Sequence, residues 1–284
     1  MAQQVGIVTD TISCLPPELA REYDIRVVPT GLVIDGRAYR DCELSNEEFW
    51  QLFYAAREQP TTSAVTPGEF ATVFSDLART TDSIVCITVS AALSATHATA
   101  LRAADIVREQ HPGLKIEVVD SRTATGAEGF IVLEAARAAR AGGSLEAVAR
   151  AARDAVPRVK FVTALDTLKY LIKSGRAPRT AVLGNVLQVK PIIGMLNNTG
   201  LVESVARARG SQKAMVRMAE IVREQVGPGK PVRLMFHYTD GIGPAEALKA
   251  LVMPGLNVEE VYLTPYTPVM ASQTGPVVAV SFYV

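Results

Sequence analysis

Six consecutive residues, Ile84-Val85-Cys86-Ile87-Thr88-Val89, leave no room for the polar alternation of a half-exposed strand. A strand that is apolar on both faces needs cover on both faces, which is the setting of a parallel sheet in an α/β fold. The run passes through Ser90-Ala91-Ala92-Leu93-Ser94-Ala95-Thr96 into a helical stretch ending near Gln110. The same order of strand, hydroxyl-bearing loop and helix occurs twice more. Residues 5–8 lead into Thr9-Asp10-Thr11 and a helix opened by Leu15-Pro16-Pro17-Glu18; residues 116–119 lead into Asp120-Ser121 and an Ala-rich helix from about Gly126 to Gly142-Gly143. Strands alternating with helices in this way predict a parallel sheet with helices on both faces.

Between these units, residues 25–34 form an apolar run broken by Pro29 and Gly31, and Asp35-Gly36 signals a hairpin. Ser45-Asn46-Glu47-Glu48 and Thr66-Pro67-Gly68-Glu69 each have the form of a capping box, and Ser144 is placed to cap a further helix. Pro60-Thr61-Thr62-Ser63, between the two boxes, reads as a hydroxyl-rich loop. The texture changes near Pro157. Residues 189–194 and 201–206 flank Asn197-Asn198-Thr199-Gly200, a spacing that suits an antiparallel pair. Further strands are expected at 160–163, 232–237, 258–263 and 277–283, with helices at 166–173, 211–225 and 244–251. The expected architecture is therefore an N-terminal parallel-sheet α/β/α domain over 1–157 and a C-terminal α/β domain over 158–284 with a mixed, largely antiparallel sheet. A length of 284 residues fits two domains.

Composition narrows the classes. Hydrophobic residues make up 48% and charged residues 20%, so a packed core is expected, while no apolar run nears the roughly eighteen residues of a membrane span. The N-terminal residues show no secretory signal. Cys14, Cys42 and Cys86 lack metal-ligand spacing and fit packing residues of a reducing cytoplasm. Formal charge is zero but unevenly placed: from Arg153 to Arg217 twelve Lys or Arg face three acids. Such an excess is either a solvated face or the mark of an acidic or phosphate-bearing partner. Without interleaved aromatics it does not predict a nucleic-acid surface.

Ligands of parallel sheets bind beyond the carboxyl ends of the strands. Three such ends carry small hydroxyl residues, at Thr9-Asp10-Thr11, Ser90 to Thr96 and Asp120-Ser121, and the Thr62-Ser63 loop adds a fourth group. Each alone reads as a helix cap; together they suggest a site for a carboxylate or phosphate, favoured at the free N–H groups of a helix start near Ser94. No Gly-rich phosphate loop, nucleophile elbow or metal-binding His spacing occurs, so no cofactor and no metal is expected. His97, one turn beyond Ser94, keeps a serine hydrolase open as an alternative.

Several segments in order resemble one family. They are Val8-Thr9-Asp10-Thr11, Pro60 through Phe70, Val89 through Thr96, Val119-Asp120-Ser121, Asp166 through Leu171, Ser174-Gly175-Arg176, Leu183-Gly184, Val189 through Ile192, Arg209 through Lys213, and Thr274-Gly275-Pro276. Across essentially the whole chain this resembles the DegV family, the fatty acid-binding subunits of bacterial fatty acid kinase. The resemblance implies a long-chain fatty acid in a tunnel between the domains, its carboxylate held by Thr62 and Ser94 with Ser63, Thr96, Gln273 and Thr274 around it. It implies no catalysis by the chain itself but presentation of the ligand to a separate ATP-dependent kinase, with Arg176, Arg209 and Lys213 facing that partner. Burial of about fifteen methylenes, at roughly 0.8 kcal/mol each, would supply the affinity, so the head group needs orientation more than strength. Hydroxyls and helix N–H groups can orient it without an Arg fork. A carrier of another acyl ligand without kinase coupling fits the same residues.

The chain departs from the family pattern at three positions. Ala95 stands where the family has Gly, which predicts a helical backbone there. Gln273 replaces the usual His before Thr-Gly-Pro; its amide donates a hydrogen bond but cannot carry charge or move a proton. Val277 replaces the Gly that usually follows Pro276.

Overall fold

The computed structural model describes residues 5–178 and 189–284, so the Leu183-Gly184 segment lies outside the described residues. The chain runs β1 (Val5–Asp10), α1 (Pro17–Glu22), β2 (Ile25–Val28), β3 (Gly31–Ile34), β4 (Arg37–Arg40), α2 (Asn46–Ala55), β5 (Thr61–Ser63), α3 (Pro67–Leu77), β6 (Ser83–Thr88), α4 (Thr96–Gln110), β7 (Lys115–Asp120), α5 (Thr125–Arg140) and α6 (Leu145–Ala155). It continues with β8 (Val159–Leu165), α7 (Lys169–Lys173), β9 (Val189–Met195), β10 (Glu203–Arg209), α8 (Ser211–Val226), β11 (Pro231–Tyr238), α9 (Gly243–Val252), β12 (Asn257–Pro265), α10 (Pro268–Thr274) and β13 (Val277–Tyr283).

The N-terminal sheet is parallel, in the order β2-β1-β6-β7. Every residue of β1 and β6 is buried, as their unbroken apolar runs require. The C-terminal sheet has the order β10-β9-β8-β13-β11-β12 and is mixed: β11 and β12 pair in parallel across α9, and the other pairings are antiparallel. Both expected capping boxes form. Ser45 Oγ accepts from Glu48 N while Glu48 Oε2 accepts from Ser45 N, and Thr66 and Glu69 repeat the exchange.

Three expectations need correction. Residues 61–63 are not a loop but a third strand, which pairs with β3 and completes a small antiparallel sheet in the order β4-β3-β5. Three residues are too few to show a two-residue period. Helix α10 carried no readable signal either, being seven residues long and mostly small or polar after Pro268. Cys42 is exposed rather than packed, unlike Cys14 and Cys86.

Helix α5 joins the two sheets. It packs on β1 and β6 and also on β8, β11 and β13, and residues Thr125 through Leu133 are buried without a break. Small side chains make this double contact possible. A Cβ on Gly126 would lie 2.4 Å from Met235 Sδ and 2.6 Å from His237 Nε2, and the Gly126 N–H donates to His237 Nε2 at 3.3 Å. Gly126→Ala is therefore expected to push α5 off β11 and lower the unfolding free energy by roughly 1–3 kcal/mol. Urea denaturation measures it; an unchanged midpoint would mean that α5 is not clamped here.

Candidate functional site

The loop after β6 is fixed by its neighbours before it meets any ligand. Asp10, at the end of β1 and fully buried, accepts from Ile12 N at 2.9 Å through Oδ1 and from Val89 N at 3.0 Å through Oδ2. Asp120, at the end of β7, accepts from Ala91 N at 3.1 Å and from Arg122 N at 2.9 Å. Ser90 Oγ donates to Gly200 O at 2.7 Å, while Leu93 N and Ser94 N fold back onto Ser90 O. The loop is thus stapled to both neighbouring strand ends. Burial pushes Asp10 up to about 6.

This corrects the expectation of a joint ligand role for four hydroxyl clusters. Thr9 Oγ1 donates to Glu128 Oε1 at 3.4 Å, Thr11 Oγ1 to Thr30 Oγ1 at 3.1 Å, and Ser121 Oγ to Thr123 O at 3.1 Å. The clusters at Thr9-Asp10-Thr11 and Asp120-Ser121 therefore brace the strand ends. The other two, around Thr62 and Ser94, border a cavity of about 260 Å³.

That cavity also touches β8, β9, α7 and α10. Its walls are largely apolar, with Ile12, Val89, Phe161, Ile193, Val269 and Met270 among them. All six sequence-selected ligand residues, Thr62, Ser63, Ser94, Thr96, Gln273 and Thr274, border it. Their hydroxyls are not equally free. Ser94 Oγ and Thr96 Oγ1 share a hydrogen bond of 2.8 Å, and Thr96 N donates to Ser94 Oγ at 3.2 Å. Thr274 Oγ1 donates to backbone carbonyls of its own helix end, Met270 O at 3.2 Å and Gly275 O at 3.0 Å. The hydroxyls of Thr62 and Ser63 make no hydrogen bond among the described residues, and strand alternation turns them to opposite faces. Gly31 leaves the space that Ser63 fills, since a Cβ there would lie 2.0 Å from Ser63 Oγ. Ala95 has φ −72° and ψ −5°, the right-handed helical backbone expected of it.

Arg176 divides from the other basic candidates. Arg209 and Lys213 are exposed and make no ion pair among the described residues. Arg176 is half-buried in the cavity wall, where Nε donates to Leu93 O at 3.0 Å and Nη1 donates to Ser174 O and to Gln273 Oε1, both at 3.2 Å. Nη2 makes no hydrogen bond among the described residues. Desolvation draws the Arg176 pKa below its usual value. Arg176 also borders two surface depressions, one of which includes Thr62 and Gln273. Gln59 Nε2 ties the same region together by donating to Tyr170 O and Ser272 O.

The Ser94/His97 alternative finds a different pairing: His97 Nδ1 lies 3.0 Å from Thr88 Oγ1, while Ser94 is engaged with Thr96. Among the described residues no group of three or more His, Cys, Asp or Glu side chains could hold a metal, and no helix is long and apolar enough to cross a membrane.

The family model described as uncharacterised protein, DegV family, matches residues 4–284. The chain belongs to the DegV family. A DegV domain-containing protein of Caldanaerobacter subterraneus is 36% identical over 215 residues, covering 75% of this chain and 74% of that one. One from Streptococcus pyogenes is 30% identical over 95% of this chain and 94% of its own. Among solved structures, a DegV family protein of Thermus thermophilus, described as fatty acid binding, aligns with a TM-score of 0.89 at 31% identity over 99% of both chains. A stearic acid-binding protein of Eubacterium ventriosum shares the DegV fold, with a TM-score of 0.86 at 21% identity over 100% of this chain and 98% of its own.

Within this DegV fold, sequence reasoning missed some of the cavity. Tyr266 and Met270 sit on or beside α10 and Leu171 on α7, short elements whose burial no periodic pattern announces. Arg176 was singled out, but as a cation facing a partner and not as part of the cavity wall.

Proposed function

We propose that the protein binds a long-chain fatty acid, with the acyl chain in the cavity between an N-terminal domain (1–157) and a C-terminal domain (158–284). The carboxylate lies among Thr62, Ser94, Arg176 and Gln273. The observation that carries this reading is a cavity with mostly apolar walls on which hydroxyls, an amide and one cation converge around Arg176. The likeness to the Thermus thermophilus fatty acid-binding protein supports it. With Nε and Nη1 engaged by protein carbonyls, Nη2 is the guanidinium nitrogen left for a ligand, so the carboxylate meets a single-point contact and not a bidentate fork. A carboxylate held by hydroxyls and one N–H keeps an oxygen free for later reaction. The proposal extends to a cytoplasmic carrier that presents its ligand to a separate ATP-dependent kinase, with Arg209 and Lys213 on the exposed docking face.

Native mass spectrometry of protein purified from bacteria tests the binding step. A long-chain acyl ligand is expected, and Thr62→Ala with Ser94→Ala together are expected to weaken binding of added fatty acid by roughly 1–3 kcal/mol, about fivefold to 150-fold. Absence of any acyl ligand, with no uptake of added acid, would refute the reading. For the coupled step, Arg209→Glu should retain fatty acid binding and lose acyl phosphate formation with the kinase.

A further inference from the structure

The loop that carries Ser94 belongs to the N-terminal sheet, yet it is held in part from the C-terminal one. Ser90 is buried and does not border the cavity, so it does not meet a ligand there. Its carbonyl accepts from Leu93 N at 3.0 Å and from Ser94 N at 3.2 Å, which makes Ser90 the base of the single turn on which Ser94 stands. Its amide donates to Thr123 O, in the loop after β7, at 2.9 Å. Its side chain reaches the other way: Oγ donates to Gly200 O at 2.7 Å and accepts from Ala92 N at 3.3 Å. Gly200 lies in the turn between β9 and β10 at φ +81°, and a Cβ there would lie 2.9 Å from Ser90 Oγ. Arg122 holds the same turn a second time, its Nε donating to Asn198 O at 3.0 Å.

A hydroxyl has two lone pairs and one proton. Ser94 Oγ accepts from Thr96 N at 3.2 Å, and its 2.8 Å contact with Thr96 Oγ1 can fill the second lone pair. The proton then left must meet a carboxylate oxygen at hydrogen-bond distance, which tolerates little displacement. We infer that Ser90 is a positioning residue for carboxylate binding: through Gly200 O, docking of the β9–β10 turn sets the height of the loop that presents Ser94. The contact joins residues 110 apart in the chain, so the head-group site is complete only when the two sheets are docked. A bound carboxylate in turn favours the docked arrangement. This role of Ser90 rests on the fatty acid reading above, in which Ser94 meets the carboxylate.

The test titrates palmitate and its methyl ester into the full chain and its variants. Ser90→Ala is expected to weaken palmitate binding about tenfold, while the ester, which presents no anion, changes by less than about twofold. In a Ser94→Ala background the same substitution should cost less than about twofold more, because the group it positions is gone. Arg122→Ala loosens the same turn at an exposed residue without opening the core, and should show the same split at about threefold. A loss shared equally by acid and ester, a loss that persists in Ser94→Ala, or unchanged palmitate affinity in either variant would overturn the role of Ser90 and leave the fatty acid reading standing. Failure of both ligands to bind the full chain would overturn that reading instead.

Discussion

Arg176→Ala is expected to weaken long-chain fatty acid binding by about 3 kcal/mol, close to a hundredfold in Kd. The guanidinium is partly desolvated, which strengthens its interaction with an incoming anion and raises the cost of losing it. Truncation also leaves Leu93 O, Ser174 O and Gln273 Oε1 without their donor. The Leu93 contact matters most for the site, because it joins Arg176 to the loop that positions Ser94. Arg176→Lys keeps the charge but cannot span three acceptors and a ligand, so it should recover only part of the loss. The methyl ester of the same acid separates charge from packing: lacking the anion, it should bind the parent protein and Arg176→Ala with similar affinity. Isothermal titration of acid and ester against both proteins checks this. Equal affinity of the acid for both would remove Arg176 from the head-group site.

The degree to which this site was legible follows from the kind of signal each part emits. Ser94 lies just after a buried strand and before a helix start, and general rules place a ligand there. Thr62 was selected as well, although its local structure was read as a loop and is a strand. The difference is one of scale: β6 has six residues with a common burial and β5 only three. The braces were misread for a physical reason. A hydroxyl at a strand end can serve a ligand or a neighbouring backbone, and only the partner decides which; Asp10 and Asp120 spend their oxygens on backbone N–H groups of the loop. Arg176 shows the converse. Its inward position is set by contacts with Leu93 and Gln273, 83 and 97 residues away in the chain, and no local pattern encodes that. Gln273 was noted as a departure at a ligand position, but that its carbonyl faces Arg176 emerges only from the fold.

The fold should be more stable at pH 5 than at pH 7, and Glu128→Gln should stabilise it at pH 7. Three buried carboxyl groups set the sign. Burial pushes Asp10 and Asp41 up to about 6, and drives Glu128 well above its ordinary value with the nearby Asp10 charge adding to the effect. In each case the folded state holds a proton that the unfolded chain releases near pH 4, so stability falls as pH rises from there toward 7. For each aspartate, going from pH 7 to pH 5 returns on the order of 1 kcal/mol, and Glu128 contributes in the same direction. His237 opposes them. Burial lowers it to about 3, so below pH 6.5 the unfolded chain gains a proton that the fold refuses, a loss of about 2 kcal/mol by pH 5. The carboxyl groups outweigh the single imidazole. Glu128 is the clearest probe because its Oε2 has no partner among the described residues and its Oε1 has only Thr9. A Gln there keeps the shape and has no proton to lose on unfolding. Its advantage should be large at pH 7 and shrink at pH 5, as measured by urea denaturation at both values. A Glu128→Gln protein equally destabilised at the two pH values would show instead that the Glu128 carboxylate is charged and useful within the fold.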